Sequence, residues 1–238
     1  MKKLLFTSYI FLLLAGLTAC SEEQNEEATD TAATQEENTE SSDWLTLDRS
    51  AWRNYKADTL SELWVAGDTF SLHLTERGGG DIITKEKFEN FELELDWLIA
   101  EGGNSGVFFR VIEADSLNAV YYSGPEMQVL DDERHPDAKI VTHRAGDNYD
   151  LQSVSEETVN PAGQWNSAKL VVNEGKVEHW LNGKKVIEYE IGSPEWQEQY
   201  NSSKFAEWSE YAKHANGHIA LQDHGDKVWF KNVRIKRL

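Results

Sequence analysis

The stretch "FELELDWLI" does most to limit what this chain can become. It sets Phe91, Leu93, Leu95, Trp97 and Ile99 on one side of an extended backbone, and Glu92, Glu94 and Asp96 on the other. Side chains alternate along a strand with period two, so the pattern fits a sheet with one dry face and one wet face. "SGVFFRVIE" alternates again, Val107, Phe109 and Val111 against Phe108, Arg110 and Ile112. "NSAKLVVNEGKVEHWLNGKKVIEYEI" contains two turn cues, "NEGK" and "LNGK", and the second carries the Asn-Gly pair of tight hairpins. "HIALQDHGDKVWFKNVRIKRL" reads as two further strands joined at "HGDK". Short strands with turns every 8–12 residues or so predict an all-β sandwich or jelly roll of two antiparallel sheets. One helix is expected near 194–213, with Ser193 as N-cap, Pro194 in its first turn and Asn216-Gly217 beyond its end. Its Trp196, Tyr200, Phe205 and Trp208 form a roughly helical stripe, expected to pack on a sheet edge in preference to stacking on a sugar.

The first 43 residues have a different character. "MKK" is a short basic segment, and "LLFTSYIFLLLAGL" is apolar but too short for a comfortable membrane span. "LTAC" ends in Cys20, the single cysteine of the chain, so no intramolecular disulfide is possible. This ending resembles the lipobox of bacterial lipoproteins, which implies cleavage before Cys20 and lipidation of its thiol. Residues 1–19 are then a signal peptide, and the protein is expected on the outer membrane, facing the periplasm or the cell surface. Residues 20–43 carry nine acids, no base and no large apolar side chain, the composition of a disordered tether. A domain is expected over 44–238. The chain as a whole holds 42 Asp and Glu against 23 Lys and Arg, a net charge of −19. Nucleic acid is excluded as a partner, because phosphate contacts need clustered cations. An acidic surface with nine Trp suits a neutral polar ligand such as a small carbohydrate.

Candidate chemistry lies on two strands. In "GPEMQVLDDERH", Met127 and Val129 take one face, and Glu126 and Gln128 take the other. In "HIALQDH", Ile219 and Leu221 face the core, so His218, Gln222 and His224 face away. On a concave sheet these polar groups converge in a cleft, where lowered dielectric shifts carboxyl and imidazole pKa values. Asp131 lies five residues from Glu126 and joins that face only across a bulge; otherwise Asp131 and Asp132 open a turn. "EGGNSGVFFR" adds Asn104 and Arg110. A buried Arg110 needs a carboxylate, for which Glu126 or Asp131 would serve. No Gly-x-Ser-x-Gly elbow, phosphate loop or tight histidine spacing is present. Glu126, Asp131, His135 and His224 are the set a divalent cation would draw on in three dimensions, and no metal is named by the spacing.

"NSGVFFR", "GPEMQVLDDERH", "QWNSAKLVVNEGKVEHWLNGKKV", "HIALQDHG" and "VWFKNVRIKRL" resemble, in order, the 3-keto-disaccharide hydrolase family, whose members are concanavalin A-like jelly rolls. The resemblance spans about Leu45 to Leu238. It implies cleavage of glycosides already oxidised at carbon 3, where the ketone acidifies the proton on carbon 2. Elimination of the aglycone and addition of water then follow. Such chemistry needs a base, an acid and a holder for the enolate oxygen. The resemblance implies Glu126 and His224 as acid and base in either order. Arg110 is then expected as a third catalytic residue, holding with Asn104, Gln128 and Gln222 the sugar hydroxyls and the keto oxygen, with Asp131 also against the sugar and a divalent cation as an optional Lewis acid. Two other readings stand beside it. Glu126-x-Gln128-x-x-Asp131 is similar in spacing to the Glu-x-Asp-x-x-Glu of laminarinase-like glucanases. The neutral Gln128 and shortened Asp131 argue against a retaining pair of carboxyls about 5–5.5 Å apart. A non-catalytic lectin-like module would instead stack sugars on Tyr121, Tyr122 and Tyr149.

Overall fold

In the computed structural model, the described residues are 43–67, 71–74 and 76–238. The expected signal peptide, the expected lipidation of Cys20 and all of the expected tether but Asp43 lie outside them. The alternating stretches form thirteen strands. They are β1 (Trp44–Thr46), β2 (Trp52–Asn54), β3 (Trp64–Ala66), β4 (Ser71–Leu74), β5 (Ile82–Thr84), β6 (Phe91–Ile99) and β7 (Asn104–Val111). β8 (Glu126–Leu130), β9 (Asn166–Asn173), β10 (Lys176–Leu181), β11 (Lys184–Glu190), β12 (His218–Leu221) and β13 (Val228–Arg237) complete the set. They build two antiparallel sheets, as expected for the jelly roll. The eight-stranded sheet runs β11-β10-β9-β6-β13-β4-β3, with β1 also paired to β13. The five-stranded sheet runs β2-β5-β12-β7-β8.

β6 shows why the alternation is so restrictive. Phe91, Leu93, Leu95, Trp97 and Ile99 are buried between the sheets with Phe109, Met127, Ile219 and Phe230. Each such side chain stabilises the fold by roughly 1.5–3 kcal/mol on burial, and a one-residue slip would turn all five outward. The Asn-Gly cue forms the β10–β11 turn, where Asn182 and Gly183 both have positive φ, 50° and 81°. That is the conformation required at both central residues of a tight hairpin. β12 and β13 are present as expected but do not pair with each other. The "HGDK" segment carries the chain from the five-stranded sheet to the eight-stranded one.

The helix is shorter than its stripe implies. α1 spans Pro194–Ser202, and Ser193 caps it by accepting the Trp196 N–H at 3.1 Å. The following Ser203 is extended, and its hydroxyl accepts from Phe205 N–H at 3.1 Å, starting a separate 3-10 turn over Lys204–Glu207. Three polar residues, Asn201 to Ser203, break the helix because their side chains compete for backbone groups. Ser202 and Ser203 hydroxyls both donate to carbonyls behind them, Glu198 and Tyr200. Trp196 and Phe205 enter the core, as the packing reading expects, together with Tyr211, while Trp208 stays half-buried.

A bulge in β7 alters the expected face of Arg110. The β7–β12 ladder pairs Phe108 with Ala220 but Val111 with His218, so Phe109 and Arg110 together oppose Ile219. Arg110 has φ 58°, and Val111 joins Phe108 on the outward face. Gly217 permits this, since a Cβ there would sit 2.4 Å from the Arg110 carbonyl carbon.

Candidate active site

The polar side chains of β7, β8 and the segment after β12 meet on the outward face of the five-stranded sheet. Asn104, Glu126, Gln128, Gln222 and His224 line a cavity of about 220 Å³. Phe108, Tyr121, Tyr149, Lys204, Phe205 and Trp208 form its remaining walls. The β7–β8 register is regular, with Gly106 opposite Gln128 and Phe108 opposite Glu126. Glu126 and Gln128 therefore point one way, and Met127 and Val129 point into the core.

Glu126 is 7 % exposed. Its carboxyl lies over Gly106, where an added Cβ would come within 2.1 Å of Oε1. Burial raises its pKa from the ordinary 4.5 to about 8; Lys204 opposes the rise, and Asp81 and Asp137 add to it. The carboxyl thus holds a proton at neutral pH. Gln128 is 1 % exposed, and its Oε1 accepts from the Val129 N–H at 3.0 Å, which leaves Nε2 as the donor toward the cavity. The buried Oδ1 of Asn104 has no hydrogen-bond partner, so it is available to a ligand hydroxyl. Gln222 is anchored by its backbone, N–H to Gly106 O at 3.1 Å and carbonyl to the Ser105 hydroxyl at 2.8 Å. His224 is about half exposed at the mouth, 3.9 Å from Asp226 Oδ2.

One side of the mouth is aromatic. The rings of Tyr121, Tyr122 and Trp208 pack with centroids 4.8–5.6 Å apart. Trp208 also meets Phe205 edge-on at 4.9 Å. The stripe expected to pack is therefore divided: Trp196 and Tyr200 pack on the core, while Phe205 and Trp208 also line the cavity.

Four expected positions fall elsewhere. Arg110 is buried but outside the cavity, carried off by the bulge. Its Nη1 donates to Ala212 O at 3.1 Å, and among the described residues it has no carboxylate partner, neither Glu126 nor Asp131. Asp131 belongs to a turn, because no bulge interrupts β8. Its Oδ2 accepts from Gly102 N–H at 2.6 Å and its Oδ1 from Glu133 N–H at 3.1 Å. The glucanase-like spacing thus places no second carboxyl beside Glu126. His218, expected on the polar face, is buried against Thr84 O at 2.7 Å, and burial lowers its pKa. His135 caps the Pro136–Lys139 turn through Nδ1 and meets His224 edge-on at 6.2 Å. The set offered to a cation is therefore not drawn together. Among the described residues no group of three or more His, Cys, Asp or Glu is arranged to hold a metal ion.

Lys204 and Gly106 belong to the site without having been singled out in the sequence, and Phe205, expected only to pack, also lines it. Lys204 follows the serine pair that breaks the helix, and only that break could have moved it off the helical stripe. Gly106 sits inside β7, just past the turn at Glu101-Gly102, where strand alternation gives a glycine no special role.

Comparison with known proteins agrees with this architecture. Residues 43–236 match the family model of the 3-keto-alpha-glucoside-1,2-lyase-like domain. A Bacteroides thetaiotaomicron protein named 3-keto-disaccharide hydrolase is 35 % identical over 217 residues, covering 79 % of this chain and 75 % of that protein. A crystal structure from Parabacteroides distasonis, described as a glycosyl hydrolase, superposes with a TM-score of 0.76 at 32 % identity, covering 82 % of this chain and 94 % of that one. A second Parabacteroides distasonis structure with the same description gives 0.62 at 27 % identity, covering 82 % and 99 %. With a family model matched over nearly the whole described domain, this chain belongs to the 3-keto-alpha-glucoside-1,2-lyase-like family, and it is an enzyme of the glycoside hydrolase type.

Proposed function

We propose that the enzyme cleaves 3-keto-glycosides, 3-keto-disaccharides or 3-keto-glucosides, by elimination followed by hydration. The observation that carries this reading is Glu126. It is a buried carboxyl facing the cavity that holds its proton at neutral pH, set among three amides and beside an imidazole. The relative's name and the family description support the substrate class.

His224, at the wet mouth, takes the proton from carbon 2. The electron pair of that C–H bond passes to the C3 carbonyl as an enolate. It returns to form the C1–C2 double bond as the C1–O bond breaks. Glu126 gives its proton to the departing oxygen, which a carboxylic acid at this pKa does readily. In the second half, Glu126 carboxylate takes a proton from water as the oxygen adds to C1. The protonated His224 returns its proton to C2, and both groups regain their starting forms. Asn104, Gln128 and Gln222 orient the ring hydroxyls. The Tyr121–Trp208 wall takes the aglycone.

Glu126→Gln and His224→Ala should each lower release of aglycone from a 3-keto-glucoside by about 10²–10⁴-fold. The unoxidised parent glucoside, run in parallel, should be left intact. Wild-type rates in both folded variants, or equal cleavage of the parent, would sink the assignment. Binding of the keto-sugar without turnover by the wild type would favour the lectin-like module.

A further inference from the structure

Lys204 is the sole cation lining the cavity among the described residues. Its backbone is held firmly. The Ser203 hydroxyl bridges Tyr200 O at 2.9 Å and Phe205 N–H at 3.1 Å. Phe205 is 3 % exposed and stacks on Tyr211 with centroids 4.1 Å apart and planes 7° apart. The ammonium sits 4.2 Å from the Tyr149 ring centroid and 5.3 Å from that of Phe205. Tyr149 is fixed in turn, stacked at 4.1 Å on His143, whose Nε2 lies 3.0 Å from Asp150 Oδ1.

A cation over an aromatic face is held by the ring quadrupole, and its N–H donors stay available. Among the described residues, Lys204 makes no ion pair and no side-chain hydrogen bond. Lys204 is exposed, and among the described residues it shares the lack of an ion pair with Lys85, Lys87, Lys139, Lys176, Lys213, Lys227 and Lys231; its place on the cavity wall is what sets it apart. No ion pair joins it to Glu126, whose pKa burial raises. The side chain is therefore a positioned positive charge with free donors, facing a polar cavity that otherwise offers amides and neutral groups.

We propose that Lys204 is a catalytic residue that holds the C3 oxygen of the oxidised sugar and stabilises the enolate formed when carbon 2 loses its proton. This rests on the 3-keto-glycoside reading. The negative charge grows on the C3 oxygen as the C2–H pair moves into the ring. It leaves that oxygen when the C1–O bond breaks, and Lys204 keeps its own proton throughout. The interaction strengthens as the charge develops, so it acts on the rate more than on binding.

The test uses the whole enzyme and a 3-keto-C-glucoside, which has no leaving oxygen. In D₂O the wild type should exchange the carbon 2 proton without cleaving the ring substituent. Lys204→Met should slow this exchange and the cleavage of 3-keto-glucosides together by about 10²–10³-fold, with KM changed much less. Lys204→Arg, which keeps the charge, should recover part of the loss, and thermal melting should be unchanged in both. Exchange at the wild-type rate in folded Lys204→Met overturns the proposal. So does equal loss in Lys204→Arg and Lys204→Met, which would show that shape and not charge is required. Failure of the wild type to exchange or cleave any 3-keto sugar overturns the underlying substrate reading instead, and is told apart by the wild-type control.

Discussion

The eight-stranded sheet meets water with its charges matched. Glu92 lies 3.6 Å from Lys169 and 3.2 Å from Lys236, Glu94 pairs with Arg234 at 2.5 Å, and Asp96 accepts from Asn232 at 2.7 Å. A hollow of about 630 Å³ lies on that face, lined by Glu94, Asp96, Lys169, Trp180 and Arg234. The outward face of the five-stranded sheet has a hollow about a third as large, yet it holds Glu126 and the unpaired Lys204. The difference is burial of the ionisable group. Glu126 is 7 % exposed beneath walls that include Tyr121, Tyr149 and Trp208, whereas Glu94 and Arg234 on the larger hollow keep side-chain exposures of 31 % and 50 % and pair with each other. Loss of water shifts Glu126 into the range useful for proton transfer. Burial, more than volume, separates a reactive face from a solvated one.

The sharpest way to break this contrast is to disturb the face that buries Glu126 without touching an ionisable group. Gly106→Ala puts a Cβ where Glu126 Oε1 now lies, so the carboxyl must move. Turnover of a 3-keto-glucoside should fall by about 10²-fold, as expected for a displacement near 1 Å. Unchanged kcat/KM would show that the Glu126 position is not critical.

The second test concerns stability. Between pH 4.5 and about 8 the folded chain keeps a proton on Glu126 that the unfolded chain has released. This carboxyl therefore favours the native state most at low pH, and its contribution is lost as pH rises through that window. Glu126→Gln should melt close to the wild type near pH 4.5 and gain on it steadily toward pH 8. A constant difference across that range would contradict the buried, protonated state.

The smallest effect is expected on the eight-stranded face. Lys169→Met leaves Glu92 paired with Lys236, and should change stability by only about 0.2–1 kcal/mol in denaturant unfolding, with turnover unchanged. Loss of activity in this variant would give the larger hollow a role in the reaction.

By itself the amino-acid sequence determined the sandwich, the buried face of β6, the Asn182-Gly183 hairpin and the common outward face of Glu126, Gln128, Gln222 and His224. Each follows from alternation or from a local backbone preference, which neighbouring residues carry between them. Only the tertiary structure decided what the outward face does. The bulge that turns Arg110 away depends on β12 lying beside β7, and on Gly217 admitting its backbone. The turn that claims Asp131 depends on the Gly102 N–H, from a segment 29 residues away in the chain. Lys204 and Trp208 reach the cavity because Ser203 ends a helix that the aromatic spacing alone would have continued. Proximity and desolvation between segments distant in sequence leave no periodic trace, so the strand faces were legible and the completed site was not.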